Sequence, residues 1–62
     1  MSTIRKYCDY YYQVKKVGIG WKYFIYNKYG KDRELLEQAE ALCDTKDEAE
    51  QDARDAISYY YL

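Results

Sequence analysis

Histidine and proline are absent from this chain of 62 residues, glycine occurs three times and cysteine twice. Each shortage excludes something. Without histidine, the chain lacks the side chain that most often moves protons near neutral pH. Two cysteines and no histidine fall short of a zinc ligand set, so no metal and no cofactor are expected. Neither Cys8 nor Cys43 has the histidine that a thiol nucleophile uses as its base, and no catalytic residue is assigned. Gly18-Ile19-Gly20 lacks the third glycine and the spacing of a dinucleotide fingerprint, and no phosphate-binding loop is present. No apolar run is long enough to cross a bilayer, and no basic-then-apolar leader opens the chain. The expectation is one small cytoplasmic domain that is not an enzyme, with no membrane partner and with both thiols reduced and partly buried.

Against these shortages stand ten tyrosines, one tryptophan and one phenylalanine. Such rings carry large apolar area on few rotatable bonds, a composition enriched at protein interfaces. A domain this small buries only about 60% of the surface of its unfolded chain, so a second copy is one way to stabilise it. Charge is also unevenly placed. Residues 1–33 carry a formal charge of +6 and residues 34–62 a charge of −7, behind a net charge of −1. That split points to charged partners or self-association, or to a basic sheet and an acidic helix that attract each other.

Periodicity organises the chain. Residues 7–17 alternate, with Cys8, Tyr10, Tyr12 and Val14 on one face and Tyr7, Asp9, Tyr11, Gln13 and Lys15 on the other. Gly18 and Gly20 break this strand, both tolerating positive φ. A second strand over 21–29 puts Trp21, Tyr23 and Ile25 on the first face, and Lys22, Phe24, Tyr26 and Lys28 on the second. Met1 to Lys6 reads as a frayed start.

Residues 34–43 are ambiguous. Their composition favours helix, and Leu35, Leu36, Ala39, Leu42 and Cys43 fit a helical stripe. A single residue, Asp44, separates them from the next helix start, and a two-stranded hairpin is a poor platform for a helix. The expectation is therefore a third strand, with a hairpin followed by two helices as the alternative. A helix over 46–61 is the clearest element. Thr45 with Glu48 forms a capping-box pattern, and Asp47, Glu48 and Glu50 complement the helix dipole. Ala49, Ala53, Ala56, Ile57 and Tyr60 fall on one stripe, with Tyr59 and Tyr61 on its flanks. The fold class expected is α+β: a three-stranded antiparallel sheet packed on one C-terminal helix.

Two surfaces remain as candidate sites. On the sheet face away from the helix, Tyr7, Tyr11, Lys15, Lys22, Phe24, Tyr26 and Lys28 interleave rings with positive charge. That combination suits a protein interface, and it also suits nucleic acid, where rings stack on bases and lysines neutralise phosphates. Tyr59 and Tyr61 add more ring than one core needs, which favours a homodimer. The helix back, with Asp47, Glu48, Asp52 and Asp55, is a solvated face or an imitation of a phosphate ribbon.

Strand, turn, strand and a helix opened by Thr45-Lys46-Asp47-Glu48-Ala49, with the aromatic stretch Gly20-Trp21-Lys22-Tyr23, resemble the N-terminal arm-binding domain of tyrosine integrases. The resemblance spans residues 18–57. It implies the three-strand-plus-helix fold and, in that family, a sheet laid in the DNA major groove. The third segment here is acidic, with Glu34, Glu37 and Glu40, where a DNA-facing strand wants basic residues. In style, a short acidic tyrosine-rich chain also resembles the accessory proteins of phages and mobile elements. That likeness implies an inhibitor that occupies a surface of a host defence protein. The leading expectation is a protein-interaction module, acting as a homodimer or an inhibitory subunit. Nucleic-acid binding through the sheet is the alternative.

Overall fold

A computed structural model describes residues 4–27 and 33–61. Four strands precede one helix: β1 (Arg5–Tyr7), β2 (Tyr10–Val17), β3 (Gly20–Tyr26), β4 (Leu35–Gln38) and α1 (Lys46–Tyr60). The strands form one antiparallel sheet in chain order, and α1 packs on one of its faces against β2 and β3. The α+β class and the C-terminal helix match the expectation. Among the described residues the sheet has four strands instead of three.

The extra strand comes from the start of the chain. Cys8 and Asp9 make a two-residue turn that pairs Tyr7 with Tyr10, and Cys8 takes a φ of 57° to do so. Positive φ at such a turn is usually given to glycine or asparagine, so the sequence carries no ordinary turn signal there. The turn reverses the alternation expected for residues 7–17. Tyr7 lies opposite Tyr10 and shares its face, so it sits on the helix side of the sheet and not on the outer face. Its hydroxyl is 3.0 Å from Ser58 Oγ, on the helix. Cys8 is exposed in the turn instead of facing the helix. The second turn, Gly18-Ile19, joins Val17 to Gly20, and here glycine supplies the positive φ of 63°.

Residues 35–38 are extended despite their helical composition. β4 pairs with β3 through Phe24–Gln38, Ile25–Glu37 and Tyr26–Leu35, with a bulge at Leu36. The chain leaves the sheet after Ala39 and returns at Cys43, which exchanges both backbone hydrogen bonds with Trp21 at 2.8 and 2.9 Å. Tertiary pairing thus overrides helix propensity, and the two-helix alternative is excluded. The bulge sends both Leu36 and Glu37 toward the helix side, where simple alternation separates them.

The core lies between sheet and helix. Tyr12, Val14 and Ile25 meet Ala49, Ala53, Ala56 and Ile57, all buried. Tyr10, Trp21 and Tyr23 pack around them, as their shared parity requires. The alanines let the helix axis come close while the rings fill the flanks. Thr45 caps the helix, its Oγ1 accepting the Glu48 N–H at 3.2 Å. The apolar stripe ends differently from the expectation. Tyr60 is 66% exposed. Tyr61 leaves the helical path at the C-cap and turns its ring onto the core instead.

Candidate binding face of the sheet

Antiparallel register assembles the outer face in rungs across β2 and β3. Tyr11 stands opposite Tyr26, Gln13 opposite Phe24, and Lys15 opposite Lys22. Lys6 joins the first rung from β1, and Leu35 and Gln38 extend the first two from β4. No element covers this face among the described residues. Lys15 Nζ lies 5.2 Å and Lys22 Nζ 5.7 Å from the Phe24 ring centroid, so one ring carries two ammonium groups. The Arg33 guanidinium lies 5.3 Å from the Tyr26 ring centroid. Cation–π attraction holds these charges over the rings. Placing Lys15 directly opposite Lys22 is nevertheless unfavourable for the sheet itself, because like charges at that spacing repel. Among the described residues of the outer face there is no carboxylate.

The acids went elsewhere. Glu37, read from the sequence as part of an acidic third segment, faces the helix side. Its Oε2 accepts the Tyr23 hydroxyl at 3.1 Å and its Oε1 the Tyr61 hydroxyl at 3.3 Å. Glu34 pairs with Asn27, accepting from Nδ2 at 3.4 Å while donating its N–H to Oδ1 at 3.0 Å. Of the predicted face residues, Tyr11, Lys15, Lys22, Phe24 and Tyr26 are brought together. Tyr26 is already well covered at 8% exposure, while Tyr11, Lys22 and Phe24 are half-buried and Lys15 is exposed. Tyr7 lies on the opposite face, and Lys28 falls outside the described residues. Lys6 and Arg33 belong to the basic face and were missed. Lys6 was missed because the tight turn at Cys8 hid its strand.

On the helix, Asp47, Glu48, Asp52 and Asp55 are all exposed. Asp52 Oδ2 accepts the Cys43 thiol at 3.1 Å, and Asp55 Oδ1 accepts Gln51 Nε2 at 2.9 Å. The bond to Asp52, with burial and the negative charge around it, pushes the Cys43 thiol up to about 11. Both cysteines are free. Arg54 turns inward, its Nη1 donating to the Tyr12 hydroxyl at 2.9 Å. Arg5 and Glu50 form an ion pair at 3.1 Å between sheet and helix. Tyr59 is 82% exposed and stands edge-on to Tyr60, with ring centroids 4.8 Å apart. Tyr61 does not serve an outer surface: its ring packs on Tyr10 at 5.1 Å.

A cleft of about 390 Å³ opens beside the helix end, lined by Tyr23, Glu37, Gln38, Glu40 and Tyr60. Burial first, and then the hydrogen bond to Glu37, push the Tyr23 phenol up to about 12. Burial and the charge of Glu37 raise the Tyr61 phenol too. Both hydroxyls therefore stay protonated near neutral pH and hold the Glu37 carboxylate in place. That is a structural tie between β3, β4 and the C-terminus. Among the described residues no group of histidine, cysteine and acidic side chains is placed to hold a metal ion, and no helix is long and apolar enough to cross a membrane. No protein-family model, curated protein or solved structure matches this chain.

Proposed function

We propose that this protein is a binding module without catalytic activity, and that it works through the outer face of its sheet on another protein surface. One observation carries the reading: Phe24, on a face that no other element covers among the described residues, lies under the ammonium groups of Lys15 and Lys22, which stand opposite each other and repel in the free protein. A partner that brings negative charge and apolar area to that rung relieves the repulsion and buries the ring. As an accessory or inhibitory subunit, the chain would act by occupying its target's surface.

The test is site-directed photo-crosslinking from Val17, which is exposed at the end of the same face. Discrete protein adducts are expected, and Phe24→Asp should abolish them. Absence of any protein adduct overturns the reading.

A second reading, nucleic acid, is favoured by the same two lysines together with the inward turn of Glu37, which leaves no carboxylate on the face among the described residues. It predicts a gel shift at low salt that is lost in Lys15→Glu/Lys22→Glu. If the unmutated protein gives no shift with single- or double-stranded probes, that reading ends.

A further inference from the structure

One flank of α1, on the side where Asp52 meets Cys43, carries a second pattern that the sheet lacks. Glu48, Asp52, Asp55 and Tyr59 fall at i, i+4, i+7 and i+11, so three carboxylates and a ring form one exposed stripe along the helix. The sheet's outer face presents the complement: Lys6, Lys15, Lys22 and Arg33 around Phe24 and Tyr11, with no acid among the described residues. We infer that the partner of the outer face is the acidic helix stripe of a second copy of this chain, bound head to tail. This inference rests on the reading of that face as the working surface and names its occupant.

Symmetry and charge select this arrangement. A two-fold contact of sheet face on sheet face brings two cationic surfaces together. A two-fold contact of helix on helix does the same with carboxylates. Only a heterologous contact, sheet on helix, matches opposite charges on both sides. Lengths agree as well. The 15 residues of α1 span about 22 Å at about 1.5 Å per residue. The eight residues of β2 span about 26 Å at about 3.3 Å per residue. With Asp55 over the Lys15–Lys22 rung, Tyr59 lies one turn further, about 6 Å along the helix. The Phe24 rung lies about 7 Å from the lysines, two residues along the strand. Charge therefore meets charge, and ring meets ring, in one register. Because the basic surface is the outer face of the sheet and the acidic stripe belongs to the helix packed on the inner face, a copy seated on one surface leaves the other open, and the contact can add further copies.

The experiment is sedimentation velocity of the intact chain across concentration and salt. The expected result is a mean size that grows with concentration at about 20 mM salt and collapses to monomer near 500 mM, where charges are screened within about 4 Å. Two variants then separate the surfaces. Lys15→Gln/Lys22→Gln keeps the acidic stripe, and Asp52→Asn/Asp55→Asn keeps the basic face. Each alone should be monomeric, while an equal mixture should form a one-to-one heterodimer and grow no further. None of the four positions is buried, Asp52→Asn also alters the bond to Cys43, and circular dichroism checks that both variants fold. Salt titration of the unmutated protein provides an arm that needs no variant. A wild type that stays monomeric at low salt and high concentration overturns the inference. So does a closed dimer, or a mixture that does not pair. Adducts from Val17 to a different protein would overturn the head-to-tail assignment and leave the outer face as the working surface, whereas no protein adduct at all would remove both.

Discussion

Gly18 and Gly20 sit two residues apart and look equivalent in the sequence, yet they should respond differently to alanine. At Gly18 the backbone has a φ of 63°, and an added Cβ meets nothing within 4 Å. The cost is conformational only, about 1–2 kcal/mol. At Gly20 the backbone is ordinary strand, but an added Cβ falls 2.7 Å from Leu42 Cβ, 3.1 Å from Leu42 Cδ1 and 3.1 Å from the Cys43 carbonyl oxygen. The nearest of these atoms is fixed to the backbone and cannot rotate away. Segment 42–43 is itself pinned by the two hydrogen bonds between Cys43 and Trp21. Relief requires the segment to move, which combines an overpacking cost of about 1–3 kcal/mol with loss of about one hydrogen bond, near 1 kcal/mol. Gly20→Ala should therefore cost about 2–4 kcal/mol in total, against a stability of about 3–9 kcal/mol for a chain of 62 residues. Urea unfolding followed by Trp21 fluorescence and circular dichroism measures both variants. Trp21 adjoins the strained contact, so its native emission should also shift in Gly20→Ala. Should Gly18→Ala prove the more damaging, the close approach of Leu42 to β3 is wrong.

Two further outcomes follow from single contacts. Arg54→Ala strips the buried Tyr12 hydroxyl of its partner and should destabilise by about 1–3 kcal/mol, with Arg54→Lys recovering only part of it, as denaturant midpoints would reveal. For Cys43, a folded value of about 11 above the ordinary 9.0 means that the fold favours the neutral thiol. The stability this adds is complete below pH 9 and is lost as pH rises toward 11, with Tyr23 continuing the loss from 10.0 toward about 12. Thiol labelling at pH 8 should accordingly modify exposed Cys8 well before Cys43. Asp52→Asn should speed the Cys43 reaction by about tenfold, and an unchanged rate would dismiss the hydrogen bond.

Local pattern determined much of this molecule. The cap at Thr45, the stripe Ala49–Ala53–Ala56–Ile57 and the alternation through Tyr12, Val14, Tyr23 and Ile25 are each written within a few neighbouring residues. Helix capping and two-residue periodicity depend on nothing further away. The rungs Tyr11–Tyr26, Gln13–Phe24 and Lys15–Lys22 were nearly as legible, since a two-residue turn sets the register of its own hairpin. Tertiary structure decided what crosses longer distances. Cys8 takes a turn conformation that its side chain disfavours because pairing Tyr7 with Tyr10 adds a strand, and that turn moves Tyr7 to the helix side. Residues 35–38 give up their helical preference because β3 offers an open edge. Glu37 leaves the acidic exterior because a bulge and two phenols draw it inward. Tyr61, not Tyr60, completes the core because the helix ends one residue earlier. The sequence determined which residues could share a face; packing between distant segments decided which face each came to occupy.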